Sequence, residues 1–160
     1  MSHEIYMHKA LQEADLAQQE GEVPTGCVII DHGDTPDARP RIIARAHNQV
    51  ERLNDPTAHA EMIAITQAAS ARGDWRLTHT TLYVTKEPCA MCAGAIVLAR
   101  IPRLVFGISD PKRGGASVFN IVQHPGLIHR CEVTSGILEA ECLHLLQAFF
   151  RRRRQEDAPS

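Results

Sequence analysis

Apolar positions recur at helical spacing near the start of the chain. Met7, Ala10, Leu11, Ala14 and Ala17 lie among Lys, Gln and Glu, and Gly21 closes the run, which predicts an amphipathic first helix. Thr25 to Ile30 is β-branched and apolar, and Arg41 to Ala46 is placed to return beside it as a second strand. The segment between them, Asp31 to Pro40, is rich in Asp, Gly and Pro and reads as a loop with an exposed, mobile tip. Ala58 to Ala69 has good helix propensity, so a helix is expected to begin near His59. Thr81 to Thr85 reads as a strand, Lys86-Glu87-Pro88 as a turn, and the apolar run Cys89 to Ala99 as a buried helix. Arg103 to Gly107 predicts another strand, Pro111 to Ser117 a loop, and Arg130 to Thr134 a last, weaker strand. Ile137, Leu138, Cys142, Leu145, Leu146, Phe149 and Phe150 form the stripe of a long final helix that ends in four arginines. The order α-β-β-α-β-α-β-β-α implies an α/β domain, one sheet covered by helices.

No repeat or internal boundary divides the 160 residues, and 44% apolar with 22% charged content suits one compact domain. That domain is expected over 1–155, with 156–160 as a flexible tail. The formal net charge of −2 excludes a uniformly basic nucleic-acid coat protein. Charge is unevenly spread, however. Residues 1–99 carry 8 basic and 13 acidic side chains, residues 100–155 carry 9 and 4, and the last five add 2 acids. Any attraction for phosphate therefore belongs to the C-terminal third. The start of the chain lacks a basic, apolar leader and no run of 18 apolar residues occurs, so a cytoplasmic location and no membrane partner are expected. The five cysteines are too few and too scattered for a disulfide scaffold. Reduced thiols are expected, available as ligands.

Pro88-Cys89-Ala90-Met91-Cys92 sets two thiols three residues apart at a helix start, where unpaired N–H groups favour thiolate. Alone, that spacing fits a redox pair or a metal site. His59-Ala60-Glu61, at the start of another helix, tips the balance by supplying one more ligand. His59, Cys89 and Cys92 make three, the number with which catalytic zinc sites keep a fourth position for water. Zinc lowers the pKa of such a water toward neutrality. Glu61, two residues from the histidine and off the metal, is the candidate base, able to take the water's proton and return it to a ring nitrogen and a leaving amine. H-x-E followed by P-C-x-x-C is the signature of the zinc nucleobase deaminases.

The resemblance runs through the chain. Gly21-Glu-Val-Pro24, Ala46-His-Asn48, Asp55-Pro-Thr-Ala-His-Ala-Glu61, Thr81-Leu-Tyr-Val-Thr85, Glu87 to Ala95, His124-Pro-Gly126, His129-Arg130 and Phe149-Phe150-Arg151 together resemble the bacterial tRNA-specific adenosine deaminases. The resemblance implies a three-layer α/β/α cytidine-deaminase-like fold with a mixed sheet of about five strands, and one zinc ion per subunit of a homodimer. It also implies deamination of adenosine to inosine at the wobble position of a tRNA anticodon stem-loop, with no organic cofactor. By the same resemblance Asn48 would bond the target nucleotide, the backbone N–H of Ala60 its base edge, and Asp110 a ribose hydroxyl, which RNA has and DNA lacks. Three features depart from the pattern: a longer loop at 31–40, Lys86 where an apolar residue is common, and a loop at 112–119 shorter by one residue.

Other residues read more plainly. Cys27, Cys131 and Cys142 fall in strand or helix patterns and are expected to be inert core. His124 and His129 are assigned no chemistry. Phe149 and Phe150 are expected mainly in the core, with one ring near RNA. Arg151, Arg152, Arg153 and Arg154 spread around a helix and are candidate contacts to the tRNA backbone, which positions RNA without reading it. Two rival functions are deamination of a free base such as guanine, and a non-catalytic RNA-binding module whose structural zinc takes a distant fourth ligand such as Cys27 or His47.

Overall fold

The computed structural model describes residues 2–158. Helix α1 (His3–Gln19) leads into strands β1 (Gly26–Asp31) and β2 (Arg41–His47), a short helix α2 (Val50–Leu53) and helix α3 (Ala60–Arg72). Strand β3 (Thr80–Lys86), helix α4 (Ala90–Leu98), strands β4 (Arg103–Ile108) and β5 (Glu132–Thr134) and helix α5 (Glu139–Asp157) complete the chain. The strands form one mixed sheet in the order β2-β1-β3-β4-β5, antiparallel at β2/β1 and β1/β3 and parallel at β3/β4 and β4/β5. The expected α/β/α architecture with five strands is what the chain adopts.

The pleat explains the layering. Strand β1 is apolar at every position but the last because both its faces are covered. Cys27 and Ile29 pack with Leu82, Val84 and Phe106 against Ala60, Ala64 and Ala68 of α3 and Ala93 and Ile96 of α4. Val28 and Ile30 face the other way, with Tyr83 and Val105, onto Met7 and Ala10 of α1 and Cys142 and Leu146 of α5. Cys131 is likewise buried, so all three non-motif thiols are core, as expected.

Four details differ from the expected pattern. Asp31 opens the 31–40 loop but is buried, its carboxylate accepting from Arg72 at 2.8 Å and from the Gly33 N–H. The polar stretch before Asp55 contains α2, a single turn that propensity alone does not support. It is held from outside: Glu22, 1% exposed, accepts the N–H groups of Glu51 and Arg52 at 3.0 and 2.8 Å and so caps the turn's N-terminus. Phe149 is buried but Phe150 is 43% exposed. The final helix continues to Asp157, so Glu156 and Asp157 of the expected tail are helical; residues 159–160 lie outside the described residues.

Glu22→Ala removes an acceptor that two buried-side N–H groups need, and is expected to destabilise the fold by about 2 kcal/mol. Urea unfolding checks this, the midpoint falling while the slope with denaturant stays at its native value.

Candidate metal and nucleotide site

The carboxyl ends of β3 and β4 and the N-termini of α3 and α4 meet at one edge of the sheet. His59 and Cys89 are the N-cap residues of α3 and α4, both in extended backbone conformation, and neither side chain caps its own helix. Positions where Ser or Asp would ordinarily turn back onto the backbone therefore project ligands outward. Cys92, within the first turn of α4, is buried beside Cys89.

His59 Nδ1 lies 3.6 Å from Cys89 Sγ and 3.5 Å from Cys92 Sγ. A nitrogen and a sulfur bound to one tetrahedral zinc at ordinary bond lengths are about 3.6 Å apart, so the three donors already span the face of such a polyhedron. Among the described residues they form the one cluster of His, Cys, Asp or Glu compact enough to hold an ion. The distant candidate ligands His47 and Cys27 are engaged elsewhere. His47 is held between Glu13 and Glu20 at 3.1 and 3.0 Å, and Cys27 is buried in β1 outside the cluster.

Protons are shared unequally among the three donors. Hydrogen bonds from Cys92 and His59 bring the Cys89 thiol down to about 3, and the bond to Cys89 raises His59. The Cys92 thiol is pushed up by its bond to Cys89 and by burial. Glu61 is 4% exposed, and burial raises its carboxyl; it lines one cavity with His59 and Cys89, so it stands on the donor side of α3.

A cavity of about 240 Å³ opens in front of the cluster, lined by Val23, Thr25, Asn48, Glu61, Lys86 and Asp110 among others. Asn48 sits at the end of β2, its N–H bonded to the Thr25 carbonyl, and Ala60 is fully buried as the first residue of α3, where an N–H has no partner within the helix. Asp110 is fixed by its surroundings. Its Oδ1 accepts the N–H groups of Lys112 and Arg113, each at 3.0 Å. Burial opposes its charge, but those two bonds and nearby Lys86 outweigh it and hold the carboxyl below its ordinary value. The predicted site residues His59, Ala60, Glu61, Cys89, Cys92, Asn48 and Asp110 are thus brought together.

Glu87 is one member of the Glu87 to Ala95 motif, with no role assigned by its sequence alone, and it organises this edge. Buried, it accepts the N–H groups of Asp110, Ala116 and Ser117 at 2.7 to 3.0 Å and the Ser117 hydroxyl. Gly114 and Gly115 let the loop close on it: a Cβ at 114 would stand 2.1 Å from the Glu87 carboxylate, and one at 115 would stand 2.4 Å from the Ala93 Cβ.

The four arginines divide. Arg152 bonds Gln18, and Arg153 donates to the Gly21 carbonyl at 3.1 Å and covers the Phe149 ring, so this pair fastens α5 to the end of α1. Arg151 and Arg154 line a groove of about 720 Å³ with Phe150, Lys86 and Asp110, the last two of which also line the smaller cavity.

The family model for MafB19-like deaminases matches residues 1–154. A tRNA-specific adenosine deaminase of Bacillus subtilis (strain 168) is 48% identical over 154 residues, 96% of this chain and 91% of the relative. The chain belongs to the tRNA-specific adenosine deaminases. A solved structure from a study of A-to-I editing by tRNA:A34 deaminases at the wobble position superposes with a TM-score of 0.80 at 44% identity, covering 88% of this chain and 98% of the other. A guanine deaminase of Bacillus subtilis also shares the fold, with a TM-score of 0.61 at 30% identity over 94% of this chain and 95% of its own. In this chain the loop between β4 and β5 and the last helix supply polar residues near the cluster of His59, Cys89 and Cys92.

Proposed function

We propose that the protein deaminates adenosine to inosine at the wobble position of a tRNA anticodon, with one zinc ion held by His59, Cys89 and Cys92. Zinc bound there would draw charge from a water at its fourth position and lower that water's pKa toward neutrality. The chain's own residues do the rest. Asn48 and the Ala60 N–H hold the base with its C6 toward the cluster, and Asp110 accepts a ribose hydroxyl, a contact available in RNA alone. Glu61 takes one proton from the water as its oxygen bonds to C6 and delivers it to the ring nitrogen; it then moves the remaining hydroxyl proton to the amine as the C6–N bond breaks and the carbonyl forms. One water is consumed and one ammonia leaves. The observation that carries this reading is the three-donor triangle with a buried carboxyl beside it and no fourth protein ligand among the described residues.

Two features favour an RNA substrate over a free base. A purine alone needs no more than the 240 Å³ cavity, whereas Lys86 and Asp110 on its rim also line a larger groove bearing Arg151, Arg154 and an exposed aromatic ring. Unstacked anticodon-loop bases enter such a site easily and stack on such rings. A homodimer would cover large apolar side chains left at the surface, such as Leu98 and Ile128, which are 67% and 75% exposed. No helix among the described residues is long and apolar enough to cross a membrane.

Purified protein is expected to form inosine at position 34 of tRNA while leaving free guanine intact; conversion of guanine with untouched tRNA would sink this reading. Glu61→Ala should keep one zinc per chain, measured by elemental analysis, and lose about 10²-fold or more in kcat. Replacing Arg151 and Arg154 with Ala should flatten the salt dependence of tRNA binding by about 0.7 per lost contact, while replacing Arg152 and Arg153 should lower thermal stability and leave that slope intact. Sedimentation equilibrium at micromolar concentration should return twice the 17.7 kDa chain mass.

A further inference from the structure

The departure at position 86 becomes informative once it is placed. Lys86 is the last residue of β3, opposite Ile108 of β4, and its side chain is 36% exposed. It lines both cavities: the small one holding Asn48, His59 and Glu61, and the groove holding Phe150, Arg151 and Arg154. Its Nζ lies 3.5 Å from Asp110 Oδ2. The other oxygen of that carboxylate is held by two backbone N–H groups, so Asp110 stays in place whether or not the lysine leaves it.

The geometry points to Lys86 as a phosphate-binding residue at the passage between the two cavities, contacting the backbone of the RNA segment that joins the nucleotide in the site to those in the groove. The inference rests on the tRNA reading above. A strand running from one cavity to the other passes the rim formed by Lys86 and Asp110, and without the lysine it would meet the Asp110 carboxylate as bare negative charge. With the lysine present, the ammonium exchanges a partly exposed ion pair for a phosphate oxygen, while the carboxylate remains oriented by the backbone. An apolar residue at this position can do neither. Lys86 thereby extends the cation row of Arg151 and Arg154 up to the mouth of the reactive pocket, and acts on RNA binding rather than on the proton transfers.

The test compares wild type with Lys86→Leu and Lys86→Arg, each as zinc-loaded full-length protein, on one anticodon stem-loop RNA. Binding is followed between about 50 and 200 mM salt. For Lys86→Leu the slope of log Kd against log salt should fall by about 0.7, and KM should rise about fivefold with kcat within about twofold of wild type. Lys86→Arg should restore the slope. A Lys86→Leu slope equal to wild type, even with a raised KM, would overturn the inference and leave Lys86 as a neutraliser of Asp110. If wild type forms no inosine, the reading of the reaction fails while the slope still decides whether Lys86 meets RNA. Absence of salt-dependent RNA binding by wild type overturns both.

Discussion

The buried carboxylate of Glu87 is the constraint on which this edge of the molecule turns. A charge taken out of water must be satisfied by donors, and Glu87 finds them in the backbone of the segment after β4 and in Ser117. Because it follows β3 directly and precedes Cys89 by two residues, those bonds do two jobs at once. They fix the start of α4, which carries two ligands, and they draw the 110–117 segment across it, which sets Asp110 at the cavity. The two glycines at 114 and 115 are the steric condition for that closure.

Glu22 plays a similar part on the other side. Its carboxylate substitutes for the missing partners of a turn too short to stand alone, and that turn lies between Asn48 and His59. A rim residue and a ligand thus depend on an acid that touches neither. The site is accordingly rigid where its donors sit, with helix N-termini and buried carboxylates doing the positioning, and open where a long substrate would run.

Much of this was legible in the chain. His59 and the Cys89-to-Cys92 spacing pointed to a candidate ligand set, because residues three apart at a helix start face one way, and β-branched apolar runs and apolar or helically spaced runs located every strand and each long helix. What stayed hidden has a common cause. Glu22, Asp31 and Glu87 look like any other acid in the sequence, since burial of a charge depends on donors supplied by distant backbone. The turn at Val50–Leu53 was invisible for the same reason. The adjacent pairs Phe149/Phe150 and Arg151 to Arg154 have identical local chemistry, and only the packing of α5 against α1 and β4 sends them to different surroundings. Resemblance, rather than residue chemistry, was what singled out Asn48 and Asp110.

The hairpin between β1 and β2 leaves the sheet at the edge opposite the site, since Asp31 pairs with Thr80 at the start of β3 whereas Cys89 and Cys92 follow its end. Arg72 ties the base of that hairpin to the last turn of α3 through Asp31. Its span is therefore separated from the candidate site by the length of the sheet, and the loop tip beyond its ties to Arg72 can lengthen or carry a fused label without the far end registering the change.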